Sequence, residues 1–368
     1  MDALQSPSLK PRKILVVAMP YLGDVLLATP LFHALKQAYP SAHVDVLVFR
    51  NTVAMLEGNP DITQIITIPN RPKWRETWQL IKQIFRRYDL AMAIQTGDRP
   101  FFYTLLAAPM RVTAVPPKGT KTWWKRFFVQ KWTEFDNHDT HTVLQNLKLL
   151  DLINVPRCYD LIPPRVNNEQ QCSAQFSFLT DKARYAVLHL LPQWTYKRWN
   201  EEAWVETGHY LKSLGLTLVL SGSGAPEEMA VIRRIVARLP DDTVNLAGQV
   251  SIAQLAHVIA QAVLFIGPDT GITHLAAATG IPVIALFGPT NPVKWAPWPS
   301  HYYQDNNPFD KIGTQQVNNV FLIQGEGDCV PCHQEGCDRH RLSHSDCLDN
   351  LSAKKIQAVA WSILNTTR

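Results

Sequence analysis

Residues Gly267–Thr290 read GPDTGITHLAAATGIPVIALFGPT, and this pattern predicts a strand end, a tight turn, a helix of small residues and a second strand. We expect the first strand to end at Gly267 and the helix to close at Gly280, where a glycine lets the chain turn. Residues 282–287 then form the next strand. Three consecutive alanines allow the helix to lie close to the sheet. Strand, helix and strand in this order are typical of a parallel α/β sheet.

The turn before this helix carries Asp269, Thr270 and Gly271, with His274 one helical turn further on. Backbone N–H groups at such a strand-to-helix turn point outward and can hold a phosphate. Asp269 and Thr270 could instead only cap the helix, and His274 could be a packed, satisfied histidine. The glycine-proline-threonine loop at 288–290 favours a ligand site over a plain cap.

The same alternation of short apolar runs and longer helical stretches extends through both halves of the chain. Continuous apolar strands indicate parallel pairing, with both faces of the sheet buried. One helical stretch, Val25–Tyr39, separates the first two predicted strands. The predicted strands lie at 13–18, 43–49, 64–68 and 89–94 in the first half, and at 185–190, 216–221, 263–267 and 282–287 in the second.

A polar stretch with a proline pair, residues 161–179, divides the two sets of strands and is typical of a connection between domains. We predict two doubly wound, Rossmann-like domains whose carboxyl strand ends face each other across a ligand-binding cleft. The predicted boundaries are 1–165 for the first domain, 166–180 for the linker, 181–348 for the second domain, and 349–368 for a C-terminal helix that could pack back on the first domain.

Composition limits the classes of function. The 368 residues are 46% hydrophobic and 18% charged, which fits a well-packed globular protein of two domains. No run approaches the roughly 18 apolar residues of a membrane-spanning helix, and the first twelve residues are polar, so we expect a cytoplasmic protein. The net charge of +5 is too small for a dedicated nucleic-acid binder, but it fits phosphorylated ligands or contact with an anionic membrane.

Two further segments carry candidate groups at predicted strand ends. In Met19–Pro30, MPYLGDVLLATP, Gly23 permits a turn and Asp24 begins a helix. The Asp24 carboxylate could act as a base, or it could only interact with the helix dipole. Ser221–Glu228, SGSGAPEE, has two glycines after a strand but no third glycine, which disfavours a dinucleotide-dependent dehydrogenase.

The DTGITHLAAATGIPVIALFGPT stretch, together with GDVLLATP near the start of the chain, resembles glycosyltransferase family 9, the ADP-heptose:lipopolysaccharide heptosyltransferases, and is most similar to their heptosyltransferase III members. The similarity extends from about Lys13 to Trp298. It implies the two-domain architecture called GT-B. It also implies an inverting transfer of L-glycero-D-manno-heptose from ADP-heptose to the inner core of lipopolysaccharide, at the inner face of the inner membrane and without a catalytic metal or other cofactor.

Two alternatives to this activity follow from the same residues. A two-domain nucleotide-sugar epimerase would share the architecture, although it would not need the GDVLLATP element. A non-catalytic nucleotide-binding protein at the membrane surface would bind the donor and show no turnover that depends on an acceptor.

The resemblance also implies roles for individual residues. Asp24 corresponds to the base that removes the proton of the attacking acceptor hydroxyl. Lys197 corresponds to a lysine that offsets the charge on the departing ADP, with Arg198 as its close competitor and a solvated loop as the alternative. Glu227 or Glu228 would accept bonds from the ribose hydroxyls, or only stabilise a helix start. The other residues expected to bind the donor are Gly23, Ser221, Gly222, Asp269, Thr270, Gly271 and His274.

The segment Lys118–Trp132, KGTKTWWKRFFVQKW, interleaves five basic residues with five aromatic ones. Such a mixture suits an anionic membrane surface or the phosphorylated lipopolysaccharide core. It would also suit nucleic acid, which the weak overall charge disfavours, and an ordinary loop with buried rings is the alternative. On the membrane interpretation, Lys121, Lys125 and Arg126 should make vesicle binding salt-sensitive.

Four of the six cysteines lie close together near the end of the chain, with three histidines between them. Four thiolates in a cytoplasmic protein could hold a structural zinc ion tetrahedrally, although the spacing departs from that of paired CxxC motifs. Packed thiols or a labile disulfide are the alternatives. The four candidate ligands are Cys329, Cys332, Cys337 and Cys347.

Overall fold

The computed structural model describes residues 10–19, 21–181 and 183–366, and the chain divides into two compact units between Ile162 and Pro163. Each unit contains one β-sheet, parallel throughout in the first unit and mainly parallel in the second, with helices packed on it. The prediction of two doubly wound α/β domains is therefore confirmed. The division lies close to the predicted end of the first domain at residue 165.

The sheet of the first unit has the strand order β3-β2-β1-β4-β5-β6, and its described pairs are parallel. The strands are β1 (Lys13–Val17), β2 (His43–Phe49), β3 (Gln64–Ile68), β4 (Leu90–Ala93), β5 (Met110–Val115) and β6 (Lys131–Glu134). The helices are α1 (Leu22–Leu26), α2 (Thr29–Ala38), α3 (Trp74–Ile84), α4 (Asp98–Ala107) and α5 (Thr142–Asp151), with 3-10 turns at Arg50–Leu56 and Trp123–Phe128.

Strand β1 is the point from which this sheet extends in both directions. The chain runs from β1 outward through β2 and β3, returns to β4 on the other side of β1, and continues through β5 and β6. The β1 residues 14–17 have no exposed surface, so the strand reads as an uninterrupted apolar run. The carboxyl ends of β1 and β4 therefore flank a topological switch point, where open α/β sheets bind their ligands.

The helix predicted over Val25–Tyr39 is two helices. α1 ends at Leu26, and Thr29 begins α2 with its hydroxyl donating to the Leu26 carbonyl at 2.7 Å. Pro30 takes the second position of α2, where its missing N–H is harmless, but it cannot continue a helix from upstream. The apolar periodicity passes through this break, so the pattern alone did not predict it.

The sheet of the second unit has the order β12-β13-β11-β10-β7-β8-β9, with β12 antiparallel at its edge. The strands are β7 (Tyr185–His189), β8 (Thr217–Ser221), β9 (Val244–Asn245), β10 (Leu264–Pro268), β11 (Val283–Phe287), β12 (Gln315–Val317) and β13 (Val320–Gln324). The helices are α6 (Glu169–Ser173), α7 (Ser177–Thr180), α8 (Glu201–Ser213), α9 (Pro226–Val236), α10 (Ile252–Ile259), α11 (Gly271–Ala278), α12 (Pro292–Trp295), α13 (Asp346–Asp349) and α14 (Ala353–Thr366), with a 3-10 turn at Thr195–Lys197.

The second sheet repeats the connectivity of the first. The chain leaves β7 through β8 and β9, then returns to β10 on the other side of β7. Alternate residues of β10 face different core clusters, with Leu264 and Ile266 in one and Phe265 in the other. The carboxyl ends of β7 and β10 flank the switch point of this unit, and the Gly267–Thr290 stretch leads directly away from it.

Residues 163–180 belong to the second unit and do not form the predicted linker at 166–180. They contain α6 and α7, and Phe178 and Leu179 are buried in the core cluster that also contains Phe265. The polar composition of this stretch reflects the exposed side chains of two short helices. At the other end of the chain, α14 packs against α8, and Gln357 Nε2 donates to the Glu206 carbonyl at 3.4 Å.

Among the described residues, no helix combines the length and the apolar character that crossing a bilayer requires. The polar residues 1–9, on which the expectation of a cytoplasmic location partly depends, lie outside the described residues.

Candidate active site

Side chains from three neighbouring strands meet at the switch point of the second unit. His189 ends β7, Ser221 ends β8, and Asp269 directly follows β10. Lys197 lies on the loop after β7, and His274 lies on α11. We call these five residues the switch-point cluster. They gather at one edge of the sheet because the carboxyl ends of parallel strands share that edge.

The structure brings together Lys197 and Asp269, which lie 72 residues apart in sequence. Lys197 Nζ is 2.5 Å from Asp269 Oδ2, and the two side chains are only 18% and 7% exposed. Removing one partner of a buried ion pair leaves an uncompensated charge, which costs roughly 3–5 kcal/mol in measured cases. Asp269 therefore fixes the ammonium of Lys197 at the switch point.

The turn after β10 is built by threonine hydroxyls. Thr270 is the N-cap of α11, and its Oγ1 accepts from the Thr273 N–H at 3.3 Å. Thr273 Oγ1 donates to the Pro268 carbonyl at 2.5 Å, which ties the helix start to the end of β10. Capping is thus the role of Thr270, whereas Asp269 binds Lys197. The first N–H groups of α11, beginning at Gly271, are suited to an anion because an α-helix makes no internal bonds to them.

His274 is 5% exposed, and its Nδ1 is buried without a hydrogen-bond partner among the described residues. Burial lowers the pKa of His274 to about 4, against the opposing effect of Asp269, and the charge of Lys197 adds to the lowering. The imidazole is therefore neutral near pH 7. A buried nitrogen without a partner is rare in native proteins, so this atom is a candidate ligand contact.

His189 is a member of the cluster that the sequence analysis missed. Its Nδ1 lies 3.0 Å from Ser221 Oγ, which joins the ends of β7 and β8. Burial lowers the pKa of His189 to about 4, against the opposing effect of a hydrogen bond with the Ser221 backbone. The available signal was the one polar residue of the apolar run YAVLHL, next to its last position, where parallel strands present functional side chains.

The glycine-bearing loop after β8 distinguishes Glu227 from Glu228. Glu228 Oε1 accepts from the Ser223 N–H at 3.0 Å, and its other oxygen accepts from the Ser223 hydroxyl. Glu227 is exposed at the start of α9. A side chain at Gly222 would collide with Glu228, since an added Cβ would lie 2.6 Å from Glu228 Oε1. Glu228 therefore stabilises the loop.

The loop that carries Lys197 is held by the cysteine-containing segment of the same unit. The Thr195 N–H donates to the Arg341 carbonyl at 3.0 Å, and Ser345 Oγ donates to the Tyr196 carbonyl at 2.7 Å. The Arg341 guanidinium also lies 4.3 Å from the centre of the Trp194 ring. These contacts fix the backbone directly before the lysine.

The neighbouring Arg198 has a buried Nε without a hydrogen-bond partner among the described residues. Lys197 engages Asp269, whereas this nitrogen is unsatisfied. Arg198 therefore remains beside Lys197 as a candidate contact for an anionic ligand.

The four cysteines of this segment are free thiols. The group of three potential ligand atoms found mutually within 4.8 Å among the described residues is Cys337, His344 and Asp346. His344 is already engaged, because its two ring nitrogens lie 3.2 Å from Asp338 and 3.1 Å from Asp346. Cys347 is buried, with the place of a Cβ on Gly288 only 3.0 Å from its Sγ. Of the predicted ligand set, only Cys337 belongs to this group.

In the first unit, Gly23 and Asp24 lie in α1, close to the switch point at the end of β1. The Met19 N–H donates to Gln95 Oε1 at 3.0 Å, which joins the chain after β1 to the chain after β4. The Leu27 N–H donates to the Gly23 carbonyl at 2.9 Å and closes the helical turn that contains Asp24. The predicted base thus occupies the ligand-binding edge of its own sheet.

The same edge of the first sheet has a cavity of about 580 Å³. It lies beyond the carboxyl ends of β4, β5 and β6, and five of its eight lining residues are polar or charged. Such a lining suits a ligand with many hydroxyl groups. The lining residues are Thr96, Pro116, Pro117, Glu134, Phe135, Asp136, Asn137 and His138.

In the basic-aromatic segment Lys118–Trp132, two of the basic residues predicted to face a membrane are buried. Lys125 is 2% exposed, with Nζ 2.6 Å from the Thr96 carbonyl and 2.7 Å from Asp98 Oδ1. Arg126 is 8% exposed, and its guanidinium lies 4.6 Å from the centre of the Trp132 ring. Both cations therefore stabilise the loop, because burying a charge requires partners of this kind.

Comparison with known proteins identifies the family of this chain. The model of glycosyltransferase family 9 (heptosyltransferase) matches residues 77–316, which is more than half of the chain. The chain belongs to glycosyltransferase family 9. It is therefore an enzyme that transfers a sugar, and the epimerase and the non-catalytic alternatives are not favoured. The matched range contains the switch-point cluster, whereas Asp24 and the four clustered cysteines lie outside it.

Similar proteins support the same assignment. Lipopolysaccharide heptosyltransferase 3 of Escherichia coli K12 is 29% identical over 300 residues, which cover 78% of this chain and 85% of that protein. The glycosyltransferase family 9 structure from Veillonella parvula DSM 2008 matches with a TM-score of 0.77 at 19% identity, over 96% of this chain and 97% of that one. E. coli heptosyltransferase WaaC, solved with ADP, matches with a TM-score of 0.71 at 19% identity, over 95% and 99% of the two chains. The predicted GT-B fold and the resemblance to heptosyltransferase III are confirmed.

Proposed function

We propose that this glycosyltransferase moves L-glycero-D-manno-heptose from ADP-heptose to the heptose region of the lipopolysaccharide inner core, with inversion at the anomeric carbon. The observation that carries the proposal is the switch-point cluster, in which a lysine held by a buried aspartate accompanies the start of α11. A cation and a helix N-terminus both suit a diphosphate. The names of the relatives, heptosyltransferase 3 and a heptosyltransferase solved with ADP, support the choice of donor and acceptor.

The donor is proposed to bind with its diphosphate at the N–H groups that begin at Gly271. His274 is neutral and offers its unsatisfied Nδ1 to the donor. Ser221 and Gly222 would lie against the nucleotide. Glu227 is then the carboxylate for the ribose hydroxyls, because Glu228 already accepts two bonds from Ser223.

The transfer is a single displacement. The acceptor oxygen forms a bond to the anomeric carbon while the bond from that carbon to the phosphate oxygen breaks, and the electron pair leaves with ADP. The proton of the acceptor hydroxyl passes to the Asp24 carboxylate. Lys197 offsets the negative charge that develops on the departing diphosphate, and Asp269 keeps the ammonium in place before the donor arrives.

The acceptor is proposed to occupy the polar cavity at the carboxyl ends of β4, β5 and β6, since heptose presents many hydroxyl groups. For the reaction, Asp24 of the first unit and Lys197 of the second must reach the same donor molecule, so the expected cleft is part of this proposal. Because the acceptor is a lipid, the reaction is proposed to occur at the inner face of the inner membrane, with the enzyme attached peripherally from the cytoplasm.

No cofactor is proposed for this displacement, since its charges are balanced by side chains and backbone groups. Structural zinc at the cysteine segment stays a prediction, which analysis of purified protein for zinc and iron tests directly. Thiolate ligands suit both metals. Transfer activity in the presence of a chelator should persist, because the proposed chemistry uses no metal ion.

The decisive experiment is incubation of the purified protein with ADP-heptose and truncated lipopolysaccharides of defined core length. We expect release of ADP that depends on the acceptor, together with a product heavier by one heptose and joined through an inverted linkage. Release of ADP without a glycosylated product, or the absence of turnover with every inner-core acceptor, would contradict the proposal.

A further inference from the structure

Helix α3 and its C-cap residue, Phe85, carry a row of aromatic side chains that the core does not use. Trp74, Trp78 and Phe85 are 73%, 52% and 50% exposed. At about 100° per residue, positions 74, 78 and 85 fall within an arc of about 40° on one side of the helix. Exposed aromatic rings in one row are unusual on a protein surface and mark an interaction site.

The buried side of α3, about 120° around the helix from this row, fixes its orientation. Leu80 and Ile84 are 4% and 0% exposed, and both belong to the hydrophobic core of the first unit. The helix is therefore anchored through these aliphatic residues. The three exposed aromatic residues are not part of that packing.

Basic side chains accompany the aromatic row. Residues 71–87 contain six basic residues and one acidic residue. Each ring has a cation beside it, at 5.5 Å for Arg75 over Trp74, 5.5 Å for Lys82 over Trp78 and 5.6 Å for Arg86 over Phe85. The six basic residues are Arg71, Lys73, Arg75, Lys82, Arg86 and Arg87.

The single acidic residue, Glu76, is engaged at the start of the helix. Its Oε2 accepts from the Lys73 N–H at 2.8 Å, and its Oε1 lies 3.8 Å from Arg50. This surface therefore presents almost unopposed positive charge next to apolar rings.

We propose that α3 is the element through which the protein docks on an anionic lipid bilayer. Aromatic rings settle at the boundary between headgroups and acyl chains, while neighbouring Lys and Arg meet anionic headgroups. Helix α3 presents aromatic rings and basic side chains next to each other on its exposed surface. A second copy of this chain does not suit the surface, because two strongly basic faces would repel each other.

This inference deepens the peripheral membrane location in the proposed function and depends on that part of it alone. It adds a second candidate surface to the segment at Lys118–Trp132, where Phe127 and Phe128 are 69% and 53% exposed. Two of the basic residues expected to make vesicle binding salt-sensitive, Lys125 and Arg126, are buried in the loop at Lys118–Trp132. All six basic residues of the α3 segment are exposed.

The test is co-sedimentation of the full chain with vesicles of phosphatidylcholine, with and without about 30 mol% phosphatidylglycerol, at low and high salt. One variant combines Trp74→Ser, Trp78→Ser and Phe85→Ser, and another combines Arg75→Gln, Lys82→Gln and Arg86→Gln. The charge variant should lose on the order of 100-fold in binding to anionic vesicles, together with most of the salt dependence. The aromatic variant should lose at least about tenfold at both salt concentrations.

The chain offers matched controls. Trp361 on α14 is 53% exposed, almost the same as Trp78, so Trp361→Ser should leave vesicle binding unchanged while Trp78→Ser lowers it. Arg234→Gln combined with Arg238→Gln removes two exposed cations from α9 and the residues after it, and it should have little effect.

Unchanged sedimentation of both α3 variants would overturn the inference, as would equal losses in the Trp361→Ser control. Binding to neutral vesicles as tight as to anionic ones would also overturn it. Turnover with a water-soluble, delipidated acceptor separates this result from the proposed function. The α3 variants should keep that turnover, so loss of vesicle binding with intact transfer supports the docking surface. If the unaltered protein shows no transfer to the soluble acceptor, the proposed activity is wrong and the docking surface is not affected.

Discussion

Lys197 meets two requirements at one position. Before the donor binds, its charge is compensated by Asp269, and when the diphosphate departs, the same ammonium can stabilise the new charge. We expect Lys197→Ala to lower kcat by about 100- to 1000-fold, the usual effect of removing one such group. Lys212→Ala is the matched control, because Lys212 forms an exposed ion pair with Asp242. A change in kcat smaller than a few-fold would remove Lys197 from the mechanism.

Asp24 should separate binding from chemistry. Asp24→Asn keeps the size of the side chain but removes its ability to accept a proton as a carboxylate. We expect ADP-heptose to bind nearly as tightly as before, measured by calorimetry, while turnover with the acceptor is lost. Near-normal turnover would show that another group takes the proton, and loss of donor binding would show that the role of Asp24 is in binding.

His189 and His274 should make the stability of the second unit depend on pH. Both have a pKa lowered to about 4 in the folded protein, against about 6.5 when unfolded. Between these pH values the unfolded chain therefore binds more protons than the folded chain. The contribution of the two histidines to the free energy of unfolding is fully present above pH 6.5 and is lost as the pH falls toward 4. Each histidine contributes a slope of up to roughly 1.4 kcal/mol per pH unit. Urea unfolding of His274→Gln should show a flatter dependence, and an unchanged slope would contradict the assignment.

At the scale of elements, the contact between the cysteine segment and the loop at Thr195–Lys197 is a positioning device. Ser345→Ala removes the bond to the Tyr196 carbonyl, worth about 1 kcal/mol. We expect kcat to fall several-fold while the KM for ADP-heptose changes less, because the lysine is displaced without being lost. Ser213→Ala removes a comparable 2.7 Å bond to the Tyr210 carbonyl and should leave kcat unchanged. Equal kcat values for the two variants would show that the cysteine segment does not position Lys197.

The sequence was a good guide to elements with a strong local pattern. The eight predicted strands all exist, and β2 and β3 have the predicted bounds, because short apolar runs predict the strands of a parallel sheet. Five further strands among the described residues were not predicted, namely β5, β6, β9, β12 and β13. β6, KWTE, was missed because it is short and its burial alternates between partly buried and exposed. The burial of Lys125 and Arg126 in the segment at Lys118–Trp132 was not predicted, because composition cannot show which cations are buried. The exposed aromatic row on α3 can be recognised only once the structure shows that Leu80 and Ile84 pack in the core.

The candidate site was predictable as a set of strand ends and not as a set of contacts. Gly271 and Thr270 follow an apolar strand, so a helix start there could be expected from the sequence. The pairing of Lys197 with Asp269 could not, because it requires β10 to lie next to β7 while β8 and β9 are placed on the other side. The same strand order brings His189 against Ser221. Long-range order in the sheet, which no local pattern specifies, creates these contacts.

At the scale of the whole molecule, the proposed reaction divides its parts between the two units. The residues proposed for the donor, from Ser221 to His274, lie in the second unit, which has its own sheet and core clusters. The proposed base, Asp24, lies in the first. A fragment of residues 163–368 should therefore fold, and it should bind ADP within a few-fold of the full chain without any transfer.

Calorimetry with ADP and a transfer assay on the same fragment test this division, with circular dichroism to establish that the fragment is folded. A folded fragment carrying Asp269→Asn serves as the control and should bind ADP more weakly, because Lys197 then loses the carboxylate that fixes it. If the folded fragment fails to bind ADP, the donor site requires groups from the first unit. If it transfers heptose, Asp24 is not the base, since no part of α1 is present in it.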